Sequence, residues 1–144
     1  MKYFTQELYQ DFQIDNTGET DIEWDSRCEF YKNYIESIEH LFPEGVKKLS
    51  KSCFHDWHLT AAYLHEGNLV LYVSDMINNM VTINYKTTKP IEIKDNIYWL
   101  YDEIDIEKEG FVHRILFHDN VLGLVEIDVP FTDVEINNLL FKGR

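Results

Sequence analysis

The chain has 144 residues and a formal net charge of −13, from 13 basic and 26 acidic residues. Apolar residues make up 44%, which predicts one packed domain over residues 1–144 and excludes a disordered or fibrous chain. The negative charge disfavours nucleic acid and anionic membranes as partners, because both require a cationic protein surface. No apolar run approaches a membrane span or forms a signal segment at the start, so we expect a cytoplasmic protein.

Helical periodicity dominates the first part of the chain. The predicted segments are a helix over residues 5–13, an acidic loop or strap over 14–25, a helix over 26–41 and a weaker helix over 43–52. Ser26 and Glu29 have the spacing of a capping box, in which each side chain satisfies the other residue's free N–H. This spacing predicts that the second helix begins at Ser26. Pro43 ends that helix or opens the next one.

At Trp57 the period of the apolar residues changes from 3.6 to 2, which is typical of strands. The predicted strands cover residues 57–63, 69–73, 81–85, 90–94, 97–106, 111–117 and 122–129. Residues 132–140 fit either a final strand or a short helix. Helices followed by strands predict an α+β fold, with N-terminal helices over residues 1–53 packed on one face of a sheet. Because no helix separates the strands, we expect an antiparallel β-meander of about six strands over 54–144.

The apolar positions of these elements predict a core. Its members are Tyr34, Ile35, Ile38, Leu41, Leu71, Val73, Ile83, Leu100, Ile115 and Ile127. The only two cysteines, Cys28 and Cys53, lack the spacing of a redox or zinc motif. Each falls on or beside a predicted helix, so we interpret both as small buried apolar residues.

Motifs for catalysis or cofactor binding are absent from the sequence, so we expect neither an enzyme nor a bound cofactor or metal. The densest group of ionisable residues is His55, Asp56 and His58. On a helix the two histidines would share a face and could bind zinc or act in acid–base catalysis, but on a strand they would point apart. Because a helix-to-strand junction falls here, the favoured interpretation is a backbone hydrogen bond from His55 or Asp56. His118 and Asp119 fit a hairpin turn.

The predicted strand 97–106 combines aromatic and acidic residues. Period-two geometry places one row of side chains on one face: Trp99, Tyr101, Glu103 and Asp105. We interpret this row as a partner-binding surface, in which the aromatic rings supply contact area and the carboxylates attract a cationic protein. The alternative is that helix 26–41 covers this face and makes it part of the core.

Several short motifs resemble one family of small bacterial proteins that contain a domain of unknown function. The opening of the chain, residues 1–7, is similar to the M-K-Y-F-T-K-E run with which these proteins begin. His55-Asp56 resembles a Leu-His-Asp step, although Phe54 replaces the leucine. Residues 99–104 resemble a W-L-Y-(D/E)-E-(I/V) run, and residues 111–134 resemble the closing hairpin. The resemblance implies a fold but no catalytic residues.

Acidic residues concentrate in two zones of the chain. Residues 1–30 contain eight acids and two bases, residues 91–120 contain eight and three, and residues 31–90 contain six of each. These zones fit a solvated surface or a negative face for a cationic partner.

The layout and charge also resemble immunity proteins of bacterial toxin systems. The first hypothesis is therefore a non-enzymatic acidic binding protein, an immunity protein that neutralises a basic, nuclease-type toxin. The alternatives are a structural or regulatory module, and a small hydrolase that uses His55, Asp56 and His58.

Overall fold

The computed structural model describes residues 1–14, 18–77 and 79–139. In this part of the chain the helices are α1 (Gln6–Ile14), α2 (Glu19–Ile38) and α3 (Glu44–Ser50), with a 3-10 turn at Glu39–Leu41. The strands are β1 (His58–His65), β2 (Asn68–Ser74), β3 (Met80–Thr87), β4 (Ile97–Glu107), β5 (Gly110–Asp119) and β6 (Gly123–Leu139). The α+β fold with an antiparallel sheet of six strands is confirmed.

The sheet closes into a barrel in the order β1-β2-β3-β6-β5-β4, with every neighbouring pair antiparallel. Strand β6 joins the two halves of the barrel, because its first half pairs with β5 and its second half pairs with β3. The change of partner occurs around Phe131, directly after Pro130. Closure depends on a short contact in which His58 and Leu59 of β1 pair with the start of β4.

Helix α2 begins earlier than the capping box predicted. Gly18 precedes the helix with a left-handed φ of 84°, a conformation that glycine adopts without strain, and Glu19 begins the first turn. Ser26 therefore lies inside the helix, and the predicted loop is wrong for residues 19–25. Residues 15–17 of that loop lie outside the described residues. At its other end the helix stops at Ile38 rather than at residue 41.

Two strand predictions also change. Residues 90–94 form no strand, although Ile91 and Ile93 pack against the barrel core. Their segment passes beside β1, but the backbone hydrogen bonds to β1 begin only where the N–H of Asn96 donates to Leu59. Residues 132–139 are strand rather than helix, because they continue β6 without a break, and residue 140 lies outside the described residues.

Two apolar clusters hold the fold together. The larger one fills the barrel, and helices α2 and α3 pack against it. Most predicted core residues are buried in this cluster or packed against it, and Leu100 is buried outside it. Two of the predicted core residues are wrong: Leu41 lies beyond the end of α2 and is 55% exposed, and Tyr34 is only half-buried and belongs to neither cluster. The smaller cluster, called the outer aromatic cluster below, lies between α1, α2 and the outer face of β4. Its members are Phe4, Leu8 and Trp24, with Met1, Tyr3, Tyr9, Phe12, Tyr31 and Tyr101 packed against them.

Candidate functional site

The four predicted contact residues on β4 do not form one exposed row. A β-bulge between Trp99 and Tyr101 interrupts the alternation of side chains along β4. As a result, Trp99 lies on the opposite side of the sheet from Tyr101, Glu103 and Asp105. Trp99 therefore points into the barrel and is fully buried, whereas Tyr101, Glu103 and Asp105 face α1 and α2. Glu103 is 1% exposed and Asp105 is 6% exposed. The prediction of an exposed row is therefore wrong: of the four residues only Tyr101 keeps a partly exposed side chain.

Glu103 fastens the N-terminal segment to the barrel. Its Oε1 accepts hydrogen bonds from the backbone N–H groups of Tyr3 and Phe4, at 2.6 and 2.7 Å, and its Oε2 accepts one from Lys2 at 2.9 Å. Three consecutive N–H groups thus surround one buried carboxylate, an arrangement that compensates the loss of water around a charge. The role of Glu103 is structural.

Asp105 is a second buried carboxylate on the same side of β4. Lys2 Nζ lies 2.8 Å from it, Arg114 lies 3.3 Å from it, and the hydroxyl of Tyr34 donates a hydrogen bond to it. Burial alone would raise the pKa of Asp105. The hydrogen bonds from Lys2, Tyr34, the backbone N–H of Ile106 and Arg114 outweigh that effect and lower the pKa to about 2. Asp105 therefore ties α2, β5 and the N-terminal segment together as a charged group.

Tyr101 is the centre of the outer aromatic cluster. Its ring lies 4.5 Å from Trp24, 5.7 Å from Phe4 and 5.9 Å from Tyr9, measured between centroids. The ring of His55 lies 4.8 Å away on a further side. Burial, then Tyr9 and Asp56, raise the pKa of Tyr101 to about 12, so its hydroxyl is neutral at physiological pH. Tyr101 remains half-buried and reaches the surface where α1, α2 and the segment before β1 meet.

The His55–Asp56–His58 group stabilises the junction between α3 and β1. The Nδ1–H of His55 donates to the backbone oxygen of Leu100 at 2.6 Å, and the backbone N–H of Asp56 donates to a carbonyl on β4 at 2.8 Å. His58 lies beyond the junction and its Nε2 contacts the side-chain oxygen of Asn96 at 2.8 Å. The favoured interpretation, backbone hydrogen bonding, is confirmed. Within the described ranges no three histidine, cysteine or acidic side chains are arranged to hold a metal ion.

A polar chain inside the barrel was not predicted from the sequence. Tyr85 and the Nδ1 of His113 are 2.7 Å apart, and the Nε2 of His113 lies 2.7 Å from Asp102. The carboxylate of Asp102 also accepts a hydrogen bond from the indole N–H of Trp99, at 3.2 Å between Nε1 and Oδ1. Burial, then Asp102, raise the pKa of Tyr85 well above its usual value, so the hydroxyl stays protonated beside His113. The one available signal was His113 itself, a polar residue on the apolar face of β5.

Both cysteines differ from their predicted environment. Cys28 and Cys53 are free and exposed. Cys28 lies on α2, one turn after Trp24, and Cys53 follows the end of α3. The prediction that both are buried apolar residues is wrong, because neither belongs to one of the two apolar clusters.

The outer face of α2 is acidic and carries exposed apolar side chains. The helix contains six acidic and two basic residues. Ile22, Asp25 and Glu29 are spaced three and four residues apart, so they share a face that is turned away from Trp24. Ile22 is 69% exposed, and Phe30, next to Glu29, is 60% exposed. This face therefore combines apolar contact area with negative charge.

The described helices include none that is long and apolar enough to cross a membrane. No curated protein and no solved structure matches the chain. A family model for a protein of unknown function (DUF4085) matches residues 18–124. The matched region begins at the glycine that precedes α2 and ends at the start of β6, so it contains α2, α3 and strands β1 to β5. Since the match covers well over half of the chain, the protein belongs to this family of unknown function (DUF4085).

Proposed function

We propose that this protein is a non-enzymatic acidic binding protein whose partner is a basic protein. The observation that carries the proposal is the outer face of α2, where exposed Ile22 and Phe30 lie among acidic residues. Large apolar side chains beside charges of one sign are characteristic of surfaces that bind a protein of the opposite charge. The net charge of −13 adds a long-range attraction for such a partner.

The opposite face of α2 supports the proposal, because it is already occupied. Trp24 is buried in the outer aromatic cluster, the hydroxyl of Tyr31 accepts a hydrogen bond from the N–H of Ile104 at 2.7 Å, and Ile35 packs on the barrel core. The helix is therefore held firmly on the barrel, and a partner could bind its outer face without any rearrangement of the fold.

Within this proposal, the partner class that fits best is a toxin that acts on nucleic acid. Such an enzyme needs a cationic surface to hold phosphates, and an acidic protein can occupy the same surface. This class agrees with the resemblance of the layout and charge to immunity proteins. The two free, exposed thiols support a location in the reducing environment of the cytoplasm.

The proposal can be tested by affinity capture at low and high salt, with the purified wild type and variants of this protein as the bait. The test variant carries Asp25→Lys and Glu29→Lys, which reverse the charge of the outer face of α2. The control variant carries Glu92→Lys and Glu109→Lys, which change the net charge equally at exposed positions outside the helices. We expect the wild type and the control to capture a basic protein that is released as salt rises, because exposed charges are screened.

Two outcomes would contradict the proposal. One is that the wild type captures no basic protein at low salt. The other is that the α2 variant and the control capture the same protein equally well, which would show that the outer face of α2 takes no part in binding.

A further inference from the structure

We infer that the surface around Tyr101 receives an arginine side chain of the basic partner. This inference rests on the proposed function and identifies a single anchoring point within it. The surface is formed by Tyr9 of α1, Tyr101 of β4, and His55 and Asp56 of the segment before β1. It is a surface separate from the acidic outer face of α2.

The aromatic part of the surface is held in place but remains accessible. Trp24 and Phe4 support Tyr101 from the side of the helices, at centroid distances of 4.5 and 5.7 Å. Tyr9 stands edge-on to Tyr101 at 5.9 Å, and His55 lies tilted against it at 4.8 Å. Tyr9 and Tyr101 are half-buried and His55 is exposed, so part of each ring remains accessible to an incoming group.

The negative charge of the surface comes from Asp56. Its carboxylate is 74% exposed, and it acts on both tyrosines, because it contributes, after burial, to raising the pKa of Tyr9 and of Tyr101. Among the described residues, His55 is the only basic side chain within ion-pair distance of it, with its Nε2 3.4 Å away. No lysine or arginine of the described chain neutralises this carboxylate, so a cation from outside can do so.

The backbone at Asp56 is held in a fixed conformation beside the rings. Its φ is 66°, in the left-handed region that residues other than glycine, asparagine and aspartate seldom adopt. The backbone N–H of Asp56 donates to Trp99 at 2.8 Å, and the neighbouring His55 ring is held by its bond to Leu100 at 2.6 Å. The backbone that carries this carboxylate is thus held beside the rings by β4.

An arginine side chain matches both parts of this surface. A guanidinium group is attracted to the face of a tyrosine ring, and its planar fork of N–H donors can bind one carboxylate with two hydrogen bonds. A lysine provides the charge but neither the planar stacking nor the paired donors. Both attractions strengthen when the partner excludes water from the surface.

The test measures binding of hexa-arginine and hexa-lysine to the intact protein by calorimetry at low salt. The key variant is Asp56→Asn, because asparagine tolerates the left-handed backbone and removes only the charge. Its control is Glu66→Gln. Glu66 also has a positive φ, of 51°, is exposed and lies beside a histidine, His65, but it is not part of the aromatic surface.

We expect Asp56→Asn to weaken hexa-arginine binding roughly fivefold or more, and Glu66→Gln to leave it nearly unchanged. The wild type should bind hexa-arginine more tightly than hexa-lysine. The inference is overturned if Asp56→Asn and Glu66→Gln bind hexa-arginine equally, if the two peptides bind equally, or if neither binds. Capture of a basic protein that depends on the α2 face but not on Asp56 would overturn this inference and leave the proposed function intact.

Discussion

Replacing Glu103 by glutamine should loosen the N-terminal segment from the barrel. The carboxylate is almost completely buried and accepts three backbone N–H groups, from Lys2, Tyr3 and Phe4. Glutamine has nearly the same shape, but one of its two terminal atoms is a donor. Whichever way the amide turns, an NH₂ group then faces at least one backbone N–H, and that N–H loses its acceptor.

The magnitude follows from this geometry. If the amide oxygen faces Tyr3 and Phe4, both hydrogen bonds survive but lose the negative charge that strengthens them, at a cost of about 1 kcal/mol or less for each. The N–H of Lys2 then meets a donor, and an unsatisfied donor costs about 1–3 kcal/mol when it is kept from water. Since Lys2 is only partly covered, we expect Glu103→Gln to lower the free energy of unfolding by about 2–4 kcal/mol.

Urea-induced unfolding, followed by tryptophan fluorescence, measures this loss. The matched control is Glu107→Gln, an exposed position on the same strand, which should change the free energy of unfolding by no more than about 0.5 kcal/mol. A loss below about 1 kcal/mol for Glu103→Gln, or an equal loss for both variants, would refute the idea that this carboxylate holds the N-terminal segment.

Three further predictions concern packing and pH. Gly45→Ala would place a methyl group 1.7 Å from the carbonyl oxygen of Val134, so α3 must move away from β6. We expect the free energy of unfolding, measured by thermal unfolding, to fall by at least about 2 kcal/mol. A melting curve equal to that of the wild type would contradict this. Ile38→Ala should lower the free energy of unfolding by about 1–2 kcal/mol because Ile38 packs on the core, whereas Leu41→Ala should lower it by less than about 0.5 kcal/mol. Urea unfolding measures both values, and the opposite order would contradict the structure. The pKa of Asp105 is about 2, below its unfolded value near 3.9, so its stabilising contribution is complete above about pH 4 and is lost as the pH falls towards 2. Asp105→Asn should therefore flatten the dependence of the free energy of unfolding on pH in this range. An unchanged dependence would count against the prediction.

The order and type of most elements could be predicted from the sequence, because they depend on local periodicity. The change of period at Trp57 separates helices from strands, and the strand periods also predicted interior residues such as Leu71, Ile83 and Ile115, which are buried. The absence of helices between the strands predicted antiparallel pairing, which the structure has throughout. The resemblance to an uncharacterised family was also correct, although its opening motif in residues 1–7 lies outside the matched region.

The start of α2 shows where local signals were insufficient. The spacing of Ser26 and Glu29 is compatible with a cap, but it is equally compatible with the interior of a longer helix. The position of Gly18, together with the packing of Trp24 against Phe4 and Tyr101, extends the helix by the residues from Glu19 onward. Contacts with residues far along the chain therefore decided between two local alternatives.

The candidate site depended even more on tertiary structure. One β-bulge turns Trp99 into the barrel and leaves Tyr101 and Glu103 facing the helices, so a row assumed from strict alternation does not exist. The same bulge places Asp102 on the inner side, where it meets His113 from the neighbouring strand. Bulges, barrel closure and hydrogen bonds between distant strands depend on which backbones pair, and the period of a single strand carries no information about that pairing.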